Sequence, residues 1–454
     1  MNELQIEITD WERAGIDTPE HLSTTGRLRL QAAGVNLTEH EDIFSRTIRK
    51  DVLVSAYPLA FWLASNWWRL LYEPLPLTDP PSIDWRMAHE MPAVNHGFIW
   101  PAVQMFSNGP SVELKASACG VGTSQSVRYL NGLAGSAFLP RTLAEKSIEK
   151  FINTTLARLV AEDLHATDLA TLWKEVRDEA EDTETKSYRI IEACLGYDPD
   201  EAPSGLVQQF LHLRDHAGIE TLEEIAPLMH SNASSDDQND SDNYRLLISS
   251  LEKRGVVGRP KLPALPSIAR LRYFASPWKQ AVDAAKNIRS FLQARDDKFS
   301  TSTLCELLGV DESTLAISSS ISSLQLSLGV RLPDGQVSFY LRHTRPAAMR
   351  FELARLIADY VLASGSTSGW LACNELKTWR QQYQRAFAAE LLCPADKLKD
   401  FLERKAASQW RCKFVDDDTI QEIAERYEVS DFTVRRVLYN NKMIPRSNAM
   451  LEEV

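Results

Sequence analysis

The chain has 454 residues, 44% of them hydrophobic and 25% charged, with a formal net charge of −12. That length exceeds one ordinary hydrophobic core and predicts two or three domains of a soluble globular protein. The acid excess argues against broad non-specific binding to nucleic acid or to an anionic membrane surface, while leaving room for one local basic contact.

No apolar run reaches membrane-spanning length. The best stretch, 52–72, holds Pro58, Asn66 and Arg69 and reads as core. The opening Met-Asn-Glu-Leu-Gln-Ile-Glu lacks the basic and apolar segments of a signal peptide, so a cytoplasmic setting is expected. Cys119, Cys194, Cys305, Cys373, Cys393 and Cys412 are scattered without a Cys-x-x-Cys pair. They are expected as free thiols, mostly buried.

Residues 1–140 carry Trp11, Trp62, Trp67, Trp68, Trp85 and Trp100. From 103 to 116, apolar residues alternate on two arms around Asn108-Gly109, the pattern of a β-hairpin. A mixed, Trp-rich domain follows, its aromatics forming core rather than a ligand platform. His89, Glu90 and His96 invite a metal reading, but helical ligands need i, i+4 spacing and Pro92 interrupts any helix there. A turn is the expectation. Asp84, His89, Glu90 and His96 stand as the candidates for an enzyme site in this domain. Gly120-Val-Gly122 is a fragment of a phosphate-loop pattern and reads as a turn.

Residues 141–257 show helical spacing at Leu143, Ile148, Phe151, Ile152, Leu156, Leu159 and Val160, then at Trp173, Val176, Ile190 and Ile191 and from 206 to 213. They read as a helical connector interrupted by an acidic loop at 231–243. Residues 258–276, with Pro260, Pro263 and Pro266, read as an extended linker.

Beyond the linker, Pro277-Trp278 opens a helix and 302–308 forms another. Two alternating strands follow, with Leu324, Leu326, Leu328 and Val330 on one and Val337, Phe339 and Leu341 on the other, joined at Pro333-Asp-Gly335. The next stretch, 350–364, is apolar around most of a helix except for Glu352, Arg355 and Asp359 at i, i+3 and i+7. Pro346 and Gly365 supply its start and stop signals. A second apolar helix runs through Phe387 to Leu392 and ends at Pro394. The order predicts an α+β domain with its sheet packed on the first of these helices.

From about 277 to 443 the chain resembles the ImmA/IrrE family of metallopeptidase-like proteins. The carriers are Arg350-Phe-x-Leu-Ala, Phe387-Ala-Ala-Glu-Leu-Leu-Cys-Pro394, and Val429-Ser430 followed by Val434-x-x-Val437-Leu438. The resemblance implies a helix bearing His-Glu-x-x-His, in which two imidazoles hold zinc and the glutamate activates water, and an acidic third ligand on the next helix. The two histidine positions fall on Arg355 and Asp359, the glutamate on Leu356 and the acidic ligand near Gln381. Arg355 offers no lone pair and Leu356 accepts no proton. After His230 the chain holds one histidine, His343. The zinc motif is degenerate, and neither metal nor cofactor is expected. An Arg355–Asp359 ion pair, joined by Glu352, is the expected replacement.

The last segment, 416–454, has helix-turn-helix spacing, with Ser430 capping the second helix. Thr433, Arg435, Arg436 and Asn440 would face DNA there. Seven acidic residues between 416 and 431 oppose phosphate contact. The whole chain thus reads as multidomain α+β: a Trp-rich N-terminal domain at 1–140, the connector at 141–257, the linker, a pseudo-peptidase domain at 277–415 and the closing helix pair. By analogy with the family, the expected function is a non-catalytic regulator, sensor or scaffold with a protein partner, in a bacterial mobile-element, stress or anti-phage defence setting. A DNA-binding transcriptional regulator and an enzyme centred in the N-terminal domain are the alternatives.

Overall fold

The computed structural model describes residues 4–13, 18–118, 125–203, 205–229, 237–251, 255–262, 276–292, 298–315, 325–363, 369–408 and 415–445, with the backbone alone at 237–243 and 406–408. Gly120-Val-Gly122, Cys119, Cys412 and most of the expected linker lie outside these residues.

The chain is mixed α+β. It opens with strand β1 (Leu4–Trp11), helix α1 (Pro19–Ser23) and strands β2 (Thr25–Ala32), β3 (Val35–Asn36), β4 (His40–Asp42), β5 (Thr47–Arg49) and β6 (Val52–Ser55). Leu28, Leu30 and Ala32 are buried at every second position of β2, which pairs antiparallel with β1, β3 and β6. Helices α2 (Ala56–Ser65), α3 (Trp67–Tyr72) and α4 (Ile83–His89) follow. Then come β7 (Ala102–Ser107) and β8 (Ser111–Ser117), a hairpin turned at Asn108-Gly109, followed by β9 (Val127–Tyr129) and β10 (Ser136–Pro140). β10, β8 and β7 form a second sheet, and β5, β4 and β9 a third.

Six helices come next: α5 (Arg141–Ala161), α6 (Asp168–Glu181), α7 (Thr183–Cys194), α8 (Leu206–Ala217), α9 (Ile219–Met229) and α10 (Asp237–Leu251). They do not hang between two bodies. One continuous apolar cluster runs from Leu4 through Trp62, Trp67, Trp68 and Trp100 to Phe151, Ile191, Ile225 and Leu247. Trp67 meets Trp173 edge-on, so the tryptophans of α2 and α3 are core that α5 to α7 complete. The expected loop at 231–243 is corrected in part: helix α10 begins at Asp237, its apolar contacts at Tyr244 and Leu247 supplying what the acidic start lacks.

The expected linker start is corrected too, because Gly258 ends strand β11 (Val256–Gly258). After it come α11 (Pro277–Phe291), α12 (Thr301–Leu308), α13 (Glu312–Leu315), β12 (Ser327–Arg331), β13 (Val337–Tyr340), α14 (Pro346–Leu362), β14 (Leu371–Cys373), α15 (Trp379–Leu392), α16 (Ala395–Ser408), α17 (Asp417–Tyr427) and α18 (Asp431–Asn440). The sheet order is β11-β13-β12-β14, all antiparallel. Helix α14 packs against this sheet and against α15, and a second apolar cluster joins all three.

The two clusters share this sheet, Leu328, Tyr340 and Ala372 belonging to the first and Val337, Phe339, Leu371 and Cys373 to the second, and the α8–α9 turn touches the start of β14. Trp370 N donates to Ala217 O at 2.9 Å, and Thr221 Oγ1 donates to Trp370 O at 2.8 Å. Gly369 sits at φ +107, and a Cβ there would approach Ala217 O to 3.3 Å. Gly369→Ala should therefore cost about 1–3 kcal/mol through strain at this junction. Urea unfolding is the measurement, and an unchanged midpoint would place the junction elsewhere.

Candidate functional site

Helix α14 starts with Pro346 at its first turn, where a missing N–H costs nothing. Ten of its residues are buried, so the stripe of Glu352, Arg355 and Asp359 lies inside the protein, each at most 1% exposed. Leu356, expected from the resemblance at the position of a catalytic glutamate, packs in the second apolar cluster.

A buried charge must find partners. Arg355 Nη1 donates to Glu352 Oε1 at 2.9 Å and lies 3.4 Å from Glu375 Oε1; Nη2 donates to Gln381 Oε1 at 2.8 Å and to Asn374 O. The expected Arg355–Asp359 pair is thus corrected. Asp359 is instead gripped by Arg380, whose Nε and Nη2 each donate to one of its oxygens at 2.7 Å, and it also accepts from Ala372 N at 2.9 Å. On a helix buried on most sides partners arrive from other elements, and Arg380 on α15 offers Asp359 two parallel donors. The stripe fastens α14 to α15 and to the end of β14.

Gln381 is the hub. Its Oε1 accepts from Arg355 and from Asn374 N (3.0 Å), while Nε2 donates to Ala372 O (3.0 Å) and to Glu224 Oε2 (3.0 Å). That uses every hydrogen bond a primary amide can make. Glu224 reaches in from α9 and also accepts from Thr378 Oγ1 at 2.8 Å and 2.9 Å. Its backbone carbonyl accepts from Asn374 Nδ2 at 2.9 Å. Burial pushes the Glu224 carboxyl above the usual carboxylate range, with Arg380, Thr378 and Gln381 opposing. This acid docks α9 on the site.

On the opposite side of Arg355 lies an arginine group. Arg342, just past β13, donates through Nη2 to Glu352 Oε1 at 2.7 Å and to Glu375 Oε1, and through Nη1 to Gln325 O at 2.8 Å. Arg385 on α15 lies 3.7 Å from Glu375 Oε2 and donates to Leu376 O at 2.8 Å. Burial opposes the charges on Glu352 and Glu375, but Arg355 and Arg342 outweigh it and hold both carboxyls below their ordinary range. Arg385 is pushed down to about 10, by burial first and then by the charge of Arg355.

Arg350, which carries the resemblance, is buried elsewhere. It donates to Thr301 Oγ1 and Phe299 O at 2.6 Å each and pairs with Glu428 at 3.2 Å, tying α14 to α12 and to the end of α17. Above it opens a cleft of about 880 Å³ bordered by Pro346, Gln421, Glu425 and Asp431.

In the closing pair, Ile420, Ile423, Ala424 and Tyr427 are buried, as are Val434, Val437 and Leu438. Ser430 Oγ caps α18 by accepting from Thr433 N at 3.2 Å. Of the four expected DNA-facing residues, Thr433 is corrected: a residue at this capping position turns inward, and it is buried. Arg435 donates to Asp417 Oδ1 at 2.6 Å. Arg436 and Asn440 remain exposed, Arg436 over the ring of Phe432.

The N-terminal candidates do not converge. His89 is fully buried, with Nδ1 2.8 Å from Met105 O and Nε2 2.9 Å from Glu73 Oε2. Both ring nitrogens face oxygens of the protein. Glu73 also accepts from Arg69, which binds Asp84 in turn. Glu90 pairs with Arg86, and His96 packs edge-on against His21. Among the described residues no group of three or more His, Cys, Asp or Glu is placed to hold a metal.

No protein-family model matches the chain, nor does any curated protein or solved structure. The likeness to the ImmA/IrrE family rests on the residues quoted for it.

Arg355→Met should cost about 2–3 kcal/mol, because it takes one of two arginine partners from the buried Glu352 carboxylate and one of two donors from Gln381 Oε1. Denaturation in urea reads this, and an unchanged transition would mean the network carries no weight. Folded Glu224 keeps its proton to higher pH than the unfolded chain does, so the stability this group contributes is fully present below the ordinary value of 4.5 and is lost as pH rises above it. Glu224→Gln cannot ionise. Its unfolding free energy should fall less than wild type between about pH 5 and 7; parallel pH profiles would contradict the assignment.

Proposed function

We propose that this chain is a non-catalytic, pseudo-peptidase-type regulator or scaffold that works through a protein partner in a bacterial mobile-element, stress or anti-phage defence setting. One observation carries the non-catalytic part. Where the resembled pattern needs lone pairs and an open coordination position, Arg355, Asp359 and Gln381 are spent on one another's neighbours and Leu356 is apolar. A catalytic metal site keeps a position for water. This one has Gln381 saturated by protein groups and a guanidinium at its centre.

The protein-partner part follows from the resemblance, whose members act on or with helix-turn-helix repressors. The Trp-rich N-terminal region is the proposed specificity module. A DNA-binding role for α18 is the second reading, favoured by the exposure of Arg436 and Asn440 and opposed by the acidic surroundings of α17.

The purified chain should contain no stoichiometric zinc, and a chelator should leave its unfolding temperature unchanged. Elemental analysis and a melting curve read both. Bound zinc whose removal lowers the melting temperature would overturn the proposal. On the same preparation, a stoichiometric protein partner should co-purify from the native host. Salt-sensitive binding to short duplexes, lost in Arg435→Ala plus Arg436→Ala, would instead establish the second reading.

A further inference from the structure

Strand β5 and the turn before it stand away from the core. Every residue at 43–50 is exposed. Phe44, at 86%, is the most exposed large apolar side chain among the described residues, and Ile48 on β5 is 68% exposed. The turn that carries Phe44 is fixed: Asp42 Oδ1 accepts from Phe44 N at 3.1 Å and Ser45 N at 3.0 Å, and Asp42 O accepts from Arg46 N at 2.8 Å. An aromatic ring displayed in water on a braced turn marks a contact surface, because little order is left to impose on binding. The acids around it are matched, Glu41 by Arg128, Asp42 by Arg49 at 3.7 Å and Asp51 by Arg29 at 2.7 Å. Arg46 and Lys50 are left without an ion-pair partner among the described residues. The hairpin is a convex tip, aromatic and cationic.

The cleft above Arg350 has the opposite character. Pro346, Ala347, Ala424 and Val429 give it apolar walls, while Glu425 and Asp431 stand exposed on it without a cation partner among the described residues. The cations close by are taken up, since Arg350 and Lys298 both pair with Glu428, and Glu312 also acts on Arg350. With Arg345, the residue before Pro346, counted as well, these carboxylates still outnumber the cations. At about 880 Å³ the cleft falls in the range of about 300–1,000 Å³ that holds compact ligands, room for one aromatic ring and a neighbouring guanidinium.

We propose that the chain associates with itself head to tail, the Phe44 hairpin of one copy seating in the acidic cleft of the next. Phe44 lies against the apolar walls, and Arg46 meets Glu425 and Asp431. The inference goes beyond the proposed function and stands whether or not α14 is catalytic. Charge decides between this contact and a symmetric one. Antiparallel pairing of β5 with β5 of a second copy about Ile48 would set Lys50 opposite Arg46 of that copy, and like charges facing across strands repel. Hairpin against cleft instead brings opposite charges together. Such a contact joins two different surfaces and leaves one of each free, so it can repeat. A single tip in a cleft covers less than the roughly 1,000 Å² of a stable interface, so the association is weak and depends on concentration.

Sedimentation velocity of the full chain over a range of concentrations tests this. The weight-average sedimentation coefficient should rise with concentration. Phe44→Ser and, separately, Glu425→Lys should each weaken association about tenfold or more, as loss of a central anchor does. Both positions are exposed, and unchanged circular dichroism shows that each variant is folded. An equimolar mixture of the two variants should associate again and stop at the dimer, because one intact hairpin then meets one intact cleft. A chain that stays monomeric at every concentration, or association untouched by either variant, would overturn the proposal. So would two impaired variants whose mixture remains monomeric, the behaviour of a symmetric contact.

Discussion

A buried guanidinium has five N–H groups and no lone pair, so everything packed around it must be an acceptor. Arg355 imposes that constraint at the centre of the second apolar cluster. Its acceptors come from its own helix at Glu352, from the β14–α15 connection at Asn374 and Glu375, and from α15 at Gln381. Gln381 then passes the requirement on to Glu224 on α9. A single polar chain so reaches from the helix that resembles a metallopeptidase's to the helical region built on the Trp-rich core. Where two apolar surfaces would slide, directional bonds fix the register of α9, α14 and α15.

This arrangement differs in kind from a metal site. Zinc organises its ligands from a point, and removing it leaves lone pairs facing a cavity. Here the point is occupied by positive charge on a side chain, and the flanking groups are acceptors for N–H. A buried ion-pair network of this type contributes little net stability against an apolar alternative, yet it specifies one geometry. That is consistent with the regulatory or scaffold role proposed for the chain. It also leaves the half-exposed Glu375 as the network's outlet to solvent.

Local pattern made part of this legible. The i, i+3, i+7 spacing of Glu352, Arg355 and Asp359 identified a polar stripe, and Asn108-Gly109 identified a hairpin, because both depend on neighbours in sequence. The pairing of Arg355 with Asp359 was the natural reading of helical spacing, and it failed because Arg380 on α15 offers Asp359 two parallel bonds that Arg355 cannot. Glu224 carries no signal in its sequence neighbourhood. Its partner Gln381 stands 157 residues away, and nothing local announces such a contact. The shared core of residues 4–140 with α5 to α10 was hidden for the same reason: periodicity shows that a helix has an apolar face, not which face it meets. Thr433 shows the smaller version, where a capping bond turned a presumed surface residue inward.

The central claim is that Arg355 and Glu224, which do not touch, act as one unit through Gln381. A double-mutant cycle with Arg355→Met, Glu224→Gln and the pair together, read by urea unfolding at neutral pH, addresses it directly. The account predicts a coupling free energy of at least about 0.5 kcal/mol, since removing either end already disorders the shared amide. Strictly additive effects would contradict it.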